Sequence, residues 1–298
     1  MLACRVLLAC LGALLTATTF AANIEMATVC RHYAGRIPGV KRAQCEDARL
    51  QPTAGRSVSG RIIWARDVTA PEPSVRVLVV GGIHGDELSS VSVAFKWIDL
   101  ADHFPADSFR PVYWRFIPAL NPDGVFAARS RRVNANGVDL NRNFPTANWE
   151  HDSRSYWEQR TRKDPRHWPG AKSLSEPESQ FLHQQMESFK PHLIVSIHAP
   201  YGVLDFDGPS TPPHRLGGLH LNLLGIFPGS LGNYSGLHKG IPIVTIELPN
   251  AKSPPAQAEM RQMWTDLQRW INTQFLDYNS TKALARAPAN AASQQDQR

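Results

Sequence analysis

Cysteine is scarce in this chain, with four among 298 residues, and no two are separated by two residues. The absence of a CxxC pair excludes a cysteine-built zinc module and a thioredoxin-type redox motif. No GxSxG element occurs, which removes the nucleophile elbow of serine hydrolases, and no GK[ST] tripeptide is present to form a phosphate loop. Internal repeats are missing. Charged residues make up 19% of the chain and carry a formal charge of +6, but the arginines are scattered rather than gathered in a stripe. Such a balance suits an acidic partner in general and gives no nucleic-acid footprint.

The longest apolar stretch lies at the start. "MLACRVLLACLGALLTATTFAANIE" has a positive charge at Arg5, an apolar run from Val6 to Leu15 and a small-residue ending at Thr19-Phe20-Ala21. That pattern reads as a signal peptide over residues 1–21, too short and poorly flanked for a comfortable membrane span. The expected destination is therefore the periplasm or the outside of the cell. Cleavage there would leave Cys30 and Cys45 as the only cysteines, an even pair in an exported chain, which suggests a disulfide within an N-terminal segment 22–57. Two unpaired thiols remain the alternative.

Beyond Ser57 the chain alternates between two periods. "SGRIIWARDV", "VRVLVV", "PVYWRFIPAL", "HLIVSIH" and "IPIVTIEL" are β-branched or aromatic runs bounded by Gly, Pro or Asn, hence strands. Helical spacing follows Glu87 through Val91, Phe95 and Ile98. It recurs at Leu182, Met186 and Phe189, and again after Pro254-Pro255 at Met260, Met263, Leu267 and Ile271. Ser175 and Glu178 have the spacing of a capping box for the second of these helices. The expected fold class is α/β, three-layered, with a central mixed but mostly parallel sheet covered by helices on both faces, over a catalytic domain of residues 58–278. Residues 149–170 read as a long surface loop, and 279–298, small and polar, as a disordered tail.

Two histidines close runs that are otherwise apolar: His84 after "VLVVGGI" and His198 after "LIVSI". In α/β sheets the loops at strand ends are where ligands bind. His84, Glu87 and His198 together offer the two nitrogens and one carboxylate of a catalytic zinc site, with the fourth position left for water. Singly, each histidine could as well be a structural residue. Glu247 sits on the apolar "IPIVTIEL", where a carboxylate is costly to bury unless it has a partner or a task.

"HGDE", "RVNANGVDLNRNF", "SIHA" and "TIELP", in this order, resemble the M14 family of zinc carboxypeptidases, and the resemblance covers roughly residues 59–278. It implies one Zn2+ per chain held by His84, Glu87 and His198, with Asp139 fixing the tautomer of His84. It implies that Asn141 and Arg142 grip a substrate carboxylate, that Arg132 polarises the scissile carbonyl, and that Glu247 moves a proton from the attacking water to the leaving amine. Arg129 and Arg131 are neighbouring alternatives to Arg132. "NPDG" reads as a turn shaping the loop that carries Arg132. The fuller set "IHGDE", "DLNRNFPT", "SEPES", "HAPYGVLDFDGP", "PGSLGNYSG" and "TIELP" is similar to the bacterial murein peptide amidase branch. The implied substrate is a peptidoglycan-derived peptide, cut at the bond between γ-D-glutamate and meso-diaminopimelate. Such a leaving residue needs cations and at least one anion in its pocket. Asp205 and Asp207 could supply the anion, although a turn-forming pair is an equal reading. The role of Tyr234, upstream of Glu247, stays open. Two other classes share part of the pattern: an N-acyl amino acid hydrolase of the succinylglutamate desuccinylase or aspartoacylase type, and a catalytically silent, zinc-bearing wall-binding protein.

Overall fold

The computed structural model describes residues 26–103 and 111–275. The expected signal peptide and tail lie outside them. In chain order the elements are a helix over residues 26–36 (α1), α2 (Arg42–Asp47), β1 (Gln51–Arg56), β2 (Ile62–Thr69), β3 (Val75–Val80), α3 (Leu88–His103), β4 (Val112–Ile117), α4 (Pro122–Val125), α5 (Trp149–Ser155), α6 (Pro177–Phe189), β5 (Leu193–His198), β6 (Val203–Asp207), β7 (Arg215–Leu216), β8 (Leu219–His220), β9 (Ile243–Glu247) and α7 (Gln257–Gln274).

Seven strands form one sheet in the order β1-β2-β4-β3-β5-β9-β6, and β7 pairs with β8 in a separate small ribbon. The four central strands β4, β3, β5 and β9 run parallel, while β1, β2 and β6 are antiparallel to their neighbours. The central strands are near-continuous apolar runs because both of their faces are covered. One face packs against α3 and α7 through Phe95, Trp97, Ile98, Trp264 and Leu267, and the other against α6 through Phe181, Leu182 and Met186. Among the described residues no helix is long and apolar enough to cross a membrane.

The sheet starts earlier than residue 58. β1 pairs with β2 from Gln51↔Ala65 onward, so part of the N-terminal segment belongs to the sheet. Cys30 and Cys45 form a disulfide, and both sulfurs are buried in the same core as Tyr33, Ile37 and Leu50.

Two local expectations fail. The capping box does not form: the residue preceding α6 is Glu176, and it makes no side-chain cap. Pro177 has no N–H to be capped, and Glu178 is drawn instead to the Val58 N–H and the Asn134 amide, while Ser175 donates to Glu176. Residues 149–170 are not a plain loop. α5 runs on into a wider helical turn over Tyr156–Arg160, and a single 3-10 turn spans Pro165–His167. Trp157 donates to the Asp164 carbonyl and packs edge-on against Trp168, so the aromatics that suggested irregularity hold the segment together.

Candidate metal centre and active site

The parallel strands deliver their C-terminal ends to one crevice. β3 runs into Gly81-Gly82, where Gly82 takes φ +57° and its N–H is held by Ser90, and the chain then turns through His84 to Glu87. Gly85 has no room for a side chain, since a Cβ there would collide with the backbone of Gly124 in α4. That close approach seats the His84–Glu87 turn against α4. Asn121 accepts from Gly124 N–H and donates to the Arg132 carbonyl. The "NPDG" segment is therefore a short helix whose polar residues do shape the Arg132 loop.

His198 ends β5 and Glu247 ends β9, directly paired in register. His84 Nδ1 lies 2.8 Å from Glu87 Oε1, His198 Nδ1 lies 3.1 Å from Glu87 Oε2, and the two Nδ1 atoms are 3.1 Å apart. One ligand-capable atom from each of the three side chains falls within 4.8 Å of the others, and all three residues are buried. Burial alone would raise the Glu87 carboxyl, but His84 and His198 outweigh it and hold the group well below the usual carboxylate range. Two imidazole nitrogens turned toward each other beside an ionised carboxylate form a donor set that fits zinc.

Asp139 is fully buried and sits behind His84. Its Oδ1 faces His84 Nε2 at 3.1 Å and accepts the Asn141 N–H at 3.0 Å, while its Oδ2 accepts from Arg132 Nε at 3.0 Å. Burial pushes this carboxyl up, yet Arg132 and His84 overcome that and keep it ionised, well below its ordinary value. An ionised acceptor at Nε2 places the proton there and leaves His84 Nδ1 free to face Glu87. Arg132 also approaches Glu87, at 3.7 Å, so its guanidinium spans the crevice beside the histidines.

Arg142 is held differently. Its guanidinium lies 4.8 Å over the Phe227 ring and 5.8 Å from that of Tyr156, and one amino group donates to the Asn141 carbonyl at 2.7 Å. Its Nε is buried without a hydrogen-bond partner, and burial lowers its pKa. A cation desolvated on aromatic faces with donors left over is chemically suited to receive an anion. Asn141 Oδ1 accepts from Leu231 N–H at 2.8 Å, which turns the amide NH2 edge to other partners.

Glu247 is 7% exposed, and its Oε2 has no partner. Burial raises its pKa, as a proton acceptor working near neutrality requires. His84, Glu87, Arg132, Asn141, Arg142, His198 and Glu247 all line one cavity of about 640 Å3. Asp139 stands just behind it.

Sequence reasoning missed several contributors. Tyr156 and Phe227, packed edge to face, lie against Arg142, and Arg166 and His167 line the rim, Arg166 pairing with Asp86 at 2.9 Å. The density of aromatic and basic residues in 149–170 was the available signal. Tyr234 belongs to the core instead: it is buried, stacks on Phe144 and makes a 2.7 Å hydrogen bond with His183.

Comparison with known proteins agrees with this geometry. The family model described as zinc carboxypeptidase matches residues 42–207, more than half of the chain and ending before the strand that carries Glu247. Murein peptide amidase A of Escherichia coli is 33% identical over 242 residues, covering 78% of this chain and 96% of the relative. The protein of the same name from Vibrio campbellii is 33% identical over 225 residues, with coverage of 72% and 84%. Among solved structures, the murein-tripeptide amidase of Escherichia coli superposes with a TM-score of 0.53 at 27% identity, over 75% of this chain and 91% of that one. Bovine thrombin-activatable fibrinolysis inhibitor, at 16% identity and a TM-score of 0.58, shares the fold. A buried His-Glu-His cluster at the C-terminal ends of the parallel strands of a mixed sheet, together with these matches, establishes that the chain belongs to the zinc carboxypeptidase family.

Proposed function

We propose that this metallopeptidase removes meso-diaminopimelate from the γ-D-glutamyl link of murein peptides, using one zinc ion held by His84, Glu87 and His198, and that it works after export. The observation carrying this reading is the buried Glu247 carboxylate, its Oε2 without a hydrogen-bond partner, lining beside the three donors the same cavity as Arg142, whose Nε has none either. The murein peptide amidases similar to this chain over most of their length support the substrate, and the leader-like sequence of residues 1–21 supports the destination.

A zinc ion held by His84, Glu87 and His198 would supply Lewis acidity and a water made nucleophilic near neutral pH. The remaining work falls to side chains. Arg142 and Asn141 receive the free carboxylate of the leaving residue, and the planar guanidinium fixes its orientation. Arg132, held on Asp139, donates to the scissile carbonyl oxygen as negative charge develops there. Glu247 Oε2 takes the proton of the attacking water and returns it to the leaving amine nitrogen. His84 is kept in the tautomer that leaves Nδ1 free by Asp139.

The test is to incubate the purified protein with L-Ala-γ-D-Glu-meso-diaminopimelate and measure released diaminopimelate. Release at the γ-link is expected. Silence there, with hydrolysis of an ordinary α-linked C-terminal residue, would replace this reading by a general carboxypeptidase.

A further inference from the structure

β6 is antiparallel to β9, in the register Val203↔Glu247, Asp205↔Thr245 and Asp207↔Ile243. Residues two apart on a strand share a face, so Asp205 and Asp207 descend from the level of Glu247 along the face that lines the cavity. Each step is about 7 Å. Both carboxylates line the cavity together with Thr245, Leu224 and Gly232.

The pair is not a turn. Both residues are in a regular strand, and only Asp205 is tied locally, accepting the Leu224 N–H at 3.1 Å. Neither makes an ion pair among the described residues, and no lysine or arginine offsets Asp207, whose surroundings push it up to about 6 through burial and the nearby Asp205. Two glycines let the backbone approach Asp207 closely: a Cβ on Gly232 would strike its Oδ2, and one on Gly236 would strike its Cβ and backbone. A second observation points to a ligand. Arg142, 9% exposed and with its Nε unpartnered, lines the same cavity. One cavity thus holds a guanidinium with a donor to spare and, along the sheet, two carboxylates without an ion-pair partner among the described residues, which is complementary to a ligand carrying both carboxylate and ammonium groups.

We propose that Asp205 and Asp207 form the subsite that reads the distal ammonium of the leaving residue, while Arg142 and Asn141 hold the carboxylate beside the cleaved bond. The proposal rests on the amidase reading for the identity of that residue and adds the side chains that select it. Diaminopimelate has its second amine several carbons from the first, and extended along β6 it reaches past Thr245 toward the two carboxylates. A residue of the same length without that amine would bury both aspartates unpaired, which is costly.

The test compares meso-diaminopimelate with 2-aminopimelate, the same skeleton without the distal amine, both as free acids bound to the zinc-loaded protein in a calorimeter and as the C-terminal residue of the L-Ala-γ-D-Glu peptide. The wild-type protein should favour the diamine at least tenfold in both measurements. In Asp207→Asn the ratio should fall below threefold, and Gly232→Ala, which displaces the carboxylate without removing it, should lower the ratio in a protein that keeps both aspartates. Equal affinity for the two acids in the wild type, or a ratio unchanged in both variants, would overturn the proposal. Failure of the amidase reading looks different: no release from either tripeptide, with the tenfold binding preference intact.

Discussion

Replacing Asp139 by Asn tests how the centre is held together. The carboxylate is fully buried and receives His84 Nε2 at 3.1 Å, Arg132 Nε at 3.0 Å and the Asn141 N–H at 3.0 Å. Asparagine keeps the shape but removes the charge and turns one acceptor edge into a donor, which must then face either Arg132 or His84. Removing one partner of a buried ion pair costs about 3–5 kcal/mol. Arg132 retains Glu87 at 3.7 Å and is 13% exposed, so the lower end, about 3 kcal/mol, is expected. At about 2–4 °C per kcal/mol for a domain of this size, the metal-free protein should melt about 6–12 °C lower. Because His84 also loses the acceptor that sets its tautomer, zinc affinity should weaken about 10–100-fold. The assay pairs thermal unfolding of metal-free protein with zinc competition against a chromophoric chelator. A melting temperature within about 2 °C of wild type together with zinc affinity within about threefold would refute the idea that Asp139 orients His84 and anchors Arg132.

The remaining predictions concern the reaction and the disulfide. Glu247→Gln keeps the shape of the side chain and leaves the three donors alone, so kcat should fall by about 10²–10⁴-fold while zinc content and substrate affinity stay near wild type; near-normal turnover would exclude Glu247 as proton carrier. Replacing both Cys30 and Cys45 by Ala opens a loop with a sequence separation of 15, which should cost about 3 kcal/mol in chemical denaturation. Zinc content of the folded fraction should be unchanged, because the bridge packs with Tyr33 and Ile37 rather than in the catalytic cavity.

The central sheet and the chemistry at its edge were legible because period and position coincide there. Apolar runs ending in His84, His198 and Glu247 announce strands whose ends converge, and the family pattern implies a role for each of them. What stayed hidden depended on contacts between distant segments. β1, "QPTAGR", is polar and mostly exposed at the sheet edge, with no alternation to read. β6, "VLDFD", interrupts its apolar run with two aspartates, and only its register against β9 shows that both line the cavity. The capping spacing of Ser175 and Glu178 was sound locally, but Glu178 satisfies Val58 and Asn134, 120 and 44 positions away. The place of Tyr234 before Glu247 leaves its role open in the sequence, and only the packing of Phe144 and His183 around it shows a core residue.

The claim that His84, Glu87 and His198 hold one zinc required for cleavage is tested most directly by titrating zinc into chelator-stripped protein while following diaminopimelate release from L-Ala-γ-D-Glu-meso-diaminopimelate. Activity should rise linearly and break at one equivalent in the wild type, and His198→Ala should show neither the tight break nor the activity. Full activity in stripped protein, or an unchanged break at one equivalent in His198→Ala, would contradict the account.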